Sequence, residues 1–299
     1  MSTPTKPATT GPATGPAAAS DSAHGYRAGR TLPLRVELMR QLKRRRTLVM
    51  GAILAVLPFV LVVAFAIGGE PEGPDDRITL MDTATASGAN FAAVNLFVSA
   101  GFLLVVPVAL FCGDTVASEA SWSSLRYLLA APVPRARLLA SKLAVGLGLS
   151  LAAMVLLPLV ALAVGTVAYG WGPLAIPTGG SLAPGTAAQR LVVVVAYIFV
   201  SQLVTAALAF WLSTRTDAPL GAVGGAVGLT IVGNVLDAVT ALGHWRDFLP
   251  AHWQFAWADA VQPNPQWSGM IQGTAVSVTY ALVLFALAFR GFARKDVVS

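Results

Sequence analysis

Between two long apolar runs the chain carries a charged, proline-punctuated island, Gly113 to Lys142, holding Asp114, Glu119, Arg126, Arg135, Arg137 and Lys142. Leu125, Leu128 and Leu129 fall at helical spacing among the first of these charges, which predicts a short amphipathic helix. Pro132 and Pro134 cannot continue it, because proline has no N–H and disfavours the helical state in the residue before it. The expected shape is helix, break, helix. Its Glu119, Arg126, Arg135 and Arg137 could dock a charged partner, which is ionic work rather than catalysis. No catalytic constellation accompanies them. His24, His244 and His252 are scattered, with no metal-ligand spacing and no nucleophile-elbow pattern, so neither a metal site nor a hydrolytic triad is expected. Lys6, Lys43, Lys142 and Lys295 are the only lysines, and none follows the glycine arrangement of a phosphate loop, so the chain is expected to bind no cofactor and to hydrolyse no ATP by that route. With Cys112 as the sole cysteine, no internal disulfide can form.

Glu119, a short polar turn, Leu125, Arg126, Leu128, Leu129, Pro132, Val133, Arg135, Leu138 and Lys142 together resemble the cytosolic loop of ABC exporter permeases of the bacterial drug-export, ABC-2 type. Ser123 and Ser124 stand where many such permeases have Gly-Thr, and Trp122 is an unusual neighbour. The ending Phe292 to Val297 is also similar to their C-terminal flank, so the resemblance covers about Leu34 to Val297. It implies an ATPase-coupling loop made by Glu119, Arg126, Pro132, Arg135, Arg137 and Lys142. It also implies a separate cytosolic ABC ATPase subunit that holds ATP and Mg, and a second permease chain, identical or paralogous, beside this one in membrane lipid. The implied function is export of a drug or lipid across the bacterial inner (plasma) membrane.

The elements that must position this loop read independently as membrane. The 299 residues are 56% hydrophobic and only 11% charged, against about 25% in a soluble domain. Residues 1–31 are Ala, Pro, Thr, Gly and Ser with almost no large apolar side chain, and are expected to be a disordered cytosolic tail. Over residues 32–47, Leu34, Leu38 and Leu42 form a stripe among Arg35, Arg40 and Lys43 to Arg46. That pattern fits an amphipathic helix in the cytosolic interface, leucines in the acyl boundary and cations toward anionic headgroups; the same charges also fit a plain positive-inside flank. A membrane domain over 48–292 follows, with a short cytosolic tail over 293–299. Since about 20 apolar residues cross a bilayer, spans are expected at 48–67, 91–112, 143–164, 191–212, 220–241 and 270–289. The fold class is thus an all-α integral membrane protein of six transmembrane helices, with the coupling loop between spans 2 and 3. Arginine and lysine crowd the loops assigned inside and leave only Arg77, Arg190 and Arg246 outside, so both termini are expected in the cytosol. The same bias accounts for the net charge of +6 without nucleic acid as a partner.

Within the fifth span, Gly221, Gly224, Gly225 and Gly228 make two small-xxx-small pairs and predict close helix packing at the centre of the bundle. Thr230, Asn234 and Asp237 share a face of the same helix. Either they line a substrate pathway or Asp237 already sits at the outer headgroups. Gln202 and Thr205 form a weaker polar pair in the fourth span. An ion-coupled secondary transporter is the alternative reading, but it normally needs several intramembrane carboxylates or broken helices. A membrane-embedded enzyme would need paired acids or clustered histidines, which the spans lack.

Overall fold

The computed structural model describes residues 34–68, 80–121, 134–177 and 179–294. The expected N-terminal tail, the helix over Leu125 to Leu129, Arg126, Pro132 and residues 295–299 lie outside them. The chain is an all-helical membrane protein, with five helices long and apolar enough to cross a bilayer, or six spans where a bent helix pair counts as one. In order come α1 (Leu34–Leu42), α2 (Arg45–Gly68), α3 (Gly88–Ala100), α4 (Val105–Ser121) and α5 (Arg135–Tyr169). A two-residue hairpin, β1 (Leu174–Ala175) with β2 (Ser181–Leu182), leads to α6 (Pro184–Ser201), α7 (Leu203–Arg215) and α8 (Pro219–Ala238). Three short 3-10 helices, Thr240–Phe248, Pro250–Trp253 and Ala256–Val261, then precede α9 (Ser268–Ala293).

The second span is not the continuous helix expected over 91–112. It is α3 and α4, bent by 54° across Gly101 to Leu104. Pro107 explains the break: it sits in the first turn of α4, where its missing N–H costs nothing, whereas an unbroken helix would carry it mid-span. The Leu104 N–H turns back to Ser99 O (2.9 Å) and the Val105 N–H to Phe102 O (3.1 Å), which frees the carbonyls of Ala100 and Gly101. In hydrocarbon such groups must find partners inside the protein. Gln202 Nε2 donates to Ala100 O (3.2 Å) and Asn234 Nδ2 to Gly101 O (3.4 Å).

Around this bent span the other helices are arranged. α4 packs against α5, α7 and α8, α3 and α2 pack against α5, and α9 against α7. α5 has 35 residues, so at about 1.5 Å per residue it outruns a bilayer core of about 30 Å and carries the expected start of the third span back to Arg135. α8 does not lie at the centre of the chain. Only its Ala222 and Ala226 are buried, and the helix packs on α4 and α7; a Cβ built on Gly225 would stand 3.0 Å from Leu212 Cδ1 of α7, while one on Gly224 or Gly228 would meet nothing within 4 Å. A tighter approach is made elsewhere: a Cβ on Gly165 of α5 would stand 2.8 Å from the Phe91 side chain of α3.

Gly165→Ala is therefore expected to lower thermal stability by about 1–3 kcal/mol, the usual range for overpacking a filled core, whereas Gly228→Ala leaves the single chain unchanged. Thermal unfolding of the purified variants in detergent checks this; equal midpoints would contradict the α3–α5 contact.

Candidate functional site

Two acidic residues near the end of α4 face three elements at once. Glu119 is fully buried and pairs with Lys142 of α5, itself 2% exposed, and with Arg40 of α1. Glu37 of α1 closes the group, 2.8 Å from Arg40 and 3.5 Å from Lys142. One helical turn earlier, Asp114 pairs with both Arg44, from the link after α1, and Arg46, from the first turn of α2; Ser118 Oγ lies 3.4 Å from Arg44 Nη1. α4 itself is pinned to α7, where Ser213 Oγ accepts the N–H groups of Val116 (3.1 Å) and Ala117 (2.9 Å).

This geometry corrects two expectations. Glu119 and Lys142 were expected in an exposed docking loop, but they are buried inside helices and neutralise each other. Arg40, Arg44 and Arg46 were expected to face lipid headgroups, yet they turn inward to the acids of α4. The reason is the same in both cases: a charge taken from water requires a partner. Arg35, Lys43 and Arg45 keep the exposed position, and α1 still presents Leu34, Leu38 and Leu42 outward. Arg135 and Arg137 are exposed at the start of α5, and Arg135 Nη1 donates to Ala293 O at the end of α9 (3.3 Å).

The cluster also sets the titration of Glu37. Burial, the largest influence, pushes its carboxyl up, but the charges of Lys142 and Arg40 and the hydrogen bonds from Gln41 and Arg40 together hold it below the ordinary 4.5.

The polar residues of spans four and five meet at the bend of span two. Thr205 and Thr230 approach to 3.3 Å between hydroxyl oxygens, and with Gln202, Asn234 and Gln254 they border a cavity of about 110 Å³. Gln202 and Asn234 thus hold the freed carbonyls of the bend. Asp237 does not join them. It takes hydrogen bonds from Arg246 Nε (3.2 Å) and pairs with His252 Nδ1 (2.7 Å), while His252 Nε2 lies 3.6 Å from Asp247. The stretch of 3-10 helices carries His252 back to α8, a pairing across 15 residues that no local spacing signals.

The family model described as ABC-2 family transporter protein matches residues 34–216, from the start of α1 to the end of α7. The chain belongs to the ABC-2 transporter family. No curated protein matches it. An ABC-2 family protein of this kind is the membrane component of an ABC transporter, so the chain is a multi-pass transport membrane protein. The matched stretch contains the whole charged cluster and both stems of the loop between α4 and α5. α8, the 3-10 segment and α9 lie beyond it.

Removing one partner of a buried pair leaves the other charge uncompensated, at about 3–5 kcal/mol, while replacing both by apolar residues is often neutral. Glu119→Leu is accordingly expected to lose most of its monodisperse yield, and Glu119→Leu with Lys142→Met to recover much of it. Gel filtration of the three proteins reads this, and additive losses in the double variant would deny the coupling. For Glu37, a carboxyl depressed in the folded state contributes stability that is complete above 4.5 and is lost as the pH falls through its lower folded value. A dye on Arg35→Cys in a Cys112→Ser background should therefore stay immobile at about pH 5 and gain mobility only below 4.5. In Glu37→Gln that acid-dependent step should shrink.

Proposed function

We propose that this chain is the permease of an ATP-driven exporter, moving an amphiphilic drug or lipid out of the cytosol of a bacterial cell. It sits in the inner membrane with both termini cytosolic, beside a second permease chain, and works with a separate ATPase subunit that binds ATP and Mg. The observation that carries this reading is the family match across α1 to α7, which includes the loop between α4 and α5. Arg135 and Arg137 support it, since they stand exposed at the base of that loop where a cytosolic partner can reach them. In this mechanism the ATPase moves the loop, the loop moves its two stems, and the stems tilt the spans that border the pathway.

The bent second span also supplies the broken helix that an ion-coupled transporter uses. Its free carbonyls, however, receive Gln202 and Asn234, and Asp237 is engaged by Arg246 and His252. The groups that the bend and Asp237 offer are thus already engaged inside the protein, which favours the ATP-driven reading.

Arg135→Glu with Arg137→Glu is expected to reduce co-purification of the ATPase at least about tenfold, because reversed charges at an interface cost more than the 1.4 kcal/mol that tenfold represents. Yield and gel-filtration profile should stay normal, since both residues are exposed. Wild-type ATPase association and stimulated hydrolysis in this double variant would refute docking at the α5 stem.

A further inference from the structure

At the end of the molecule that holds the loop stems, Arg215 of α7 and Arg290 and Arg294 of α9 converge on a cleft of about 510 Å³, completed by Thr214, Leu287 and Gly291. Gly291 permits the convergence: a Cβ there would stand 3.4 Å from Arg215 Nε, so the guanidinium lies across the surface of α9. Among the described residues no carboxylate lines the cleft. Asp217, the nearest acid in sequence, is not among its walls. Arg290 and Arg294 are one turn apart, a spacing at which like charges repel, and the crossing Arg215 adds a third cation. Such a group gains most from an anion that several guanidiniums can grip together, and a phosphate suits their forked N–H geometry.

The surface below the arginines says what carries that phosphate. Along one face of α9 run Tyr280, Val283 and Leu287, exposed by 44%, 55% and 42%, and the same face continues into Arg290 and Arg294. Arg215 lies over the Trp211 ring in a cation–π contact, 5.7 Å to the centroid, and tryptophan marks the headgroup level of a membrane. An apolar stripe leading up to three clustered cations matches an acyl chain beneath a negatively charged headgroup. We propose that this cleft binds the phosphate of an anionic phospholipid of the cytosolic leaflet, with one acyl chain on the Tyr280, Val283 and Leu287 face. The site rests on the membrane orientation of the chain and is independent of any ATPase.

The test titrates the full chain, purified in a neutral maltoside detergent, with fluorescent phosphatidylglycerol or with phosphatidylcholine of the same acyl chains. Phosphatidylglycerol should bind the wild type at least about tenfold more tightly, and each of Arg215→Gln, Arg290→Gln and Arg294→Gln should weaken it roughly fivefold, near the contribution of one basic residue at an anionic surface. Arg35→Gln with Lys43→Gln, which neutralises cations of α1, should leave binding unchanged. Gel filtration verifies that the variants remain folded. Equal binding of the two lipids, or wild-type phosphatidylglycerol binding in all three arginine variants, would overturn the site. Displacement of the lipid by millimolar inorganic phosphate would instead make it a free-oxyanion site, and loss of ATPase co-purification with lipid binding intact would make it a protein-docking surface; both outcomes refute the proposal. If the wild type follows the arginines for lipid yet recruits no ATPase, the transport reading fails and this site stands.

Discussion

Glu119 sits at zero exposure on a helix that continues a membrane span, and its charge survives there because Lys142 and Arg40 reach it from two other elements. The arrangement fixes more than one contact. α4 and α5 are the two stems of a loop whose ends would otherwise be free to slide, and a buried pair admits only registers in which the charges meet. Pairs of this kind add little net stability compared with apolar packing, but they penalise every alternative alignment heavily. α1 is drawn into the same arrangement through Glu37 and Arg40, and Asp114 extends it to α2 through Arg44 and Arg46. Four elements thus share one electrostatic joint.

A second constraint acts deeper in the membrane, where the bend of span two would leave two carbonyls without partners. Gln202 and Asn234 come from spans four and five to meet them. Polar residues at this depth invite a pathway reading, yet here their first duty is to the backbone. The bend and its supports form one unit, since neither amide would be tolerated at such depth without an acceptor.

The all-helical membrane class and five of the spans were legible in the sequence because length and hydropathy decide them, and the bent pair stands where the second was expected. The bend was not, since Gly101, Phe102, Leu103 and Leu104 are as apolar as the helices they separate; Pro107 was the one available signal. Glu119 and Lys142 stood out by type and spacing, but their burial depends on a partner 23 residues away and another, Arg40, 79 residues away. The leucine stripe of α1 was readable, whereas the destination of its arginines was not, because a helical pattern says which side chains share a face and not what lies opposite. The glycines of α8 illustrate the same limit. Small residues state that a backbone could approach; of these, Gly225 meets Leu212 while Gly224 and Gly228 meet nothing, and Gly165 presses on Phe91 instead. His252 could be found from neither spacing nor composition, since it reaches Asp237 only after the 3-10 segment folds back.

These constraints also determine which parts can move together. A displacement entering at the loop meets α4 and α5 at a joint that cannot stretch without exposing Glu119, so both stems must travel with it. α4 is bonded to α7 through Ser213 and packed on α8, and thus its far neighbours feel the motion directly. α3 is placed differently: it lies beyond the 54° bend, meets α5 at Gly165 far from the loop, and sets Phe97 against Phe255 and Trp257 of the 3-10 segment. The bend therefore separates the half of span two that follows the loop from the half that stays with the 3-10 segment. Under the proposed transport function, a rigid lower half and an independently anchored upper half are what alternating access requires, because one end of a span can shift while the other remains closed.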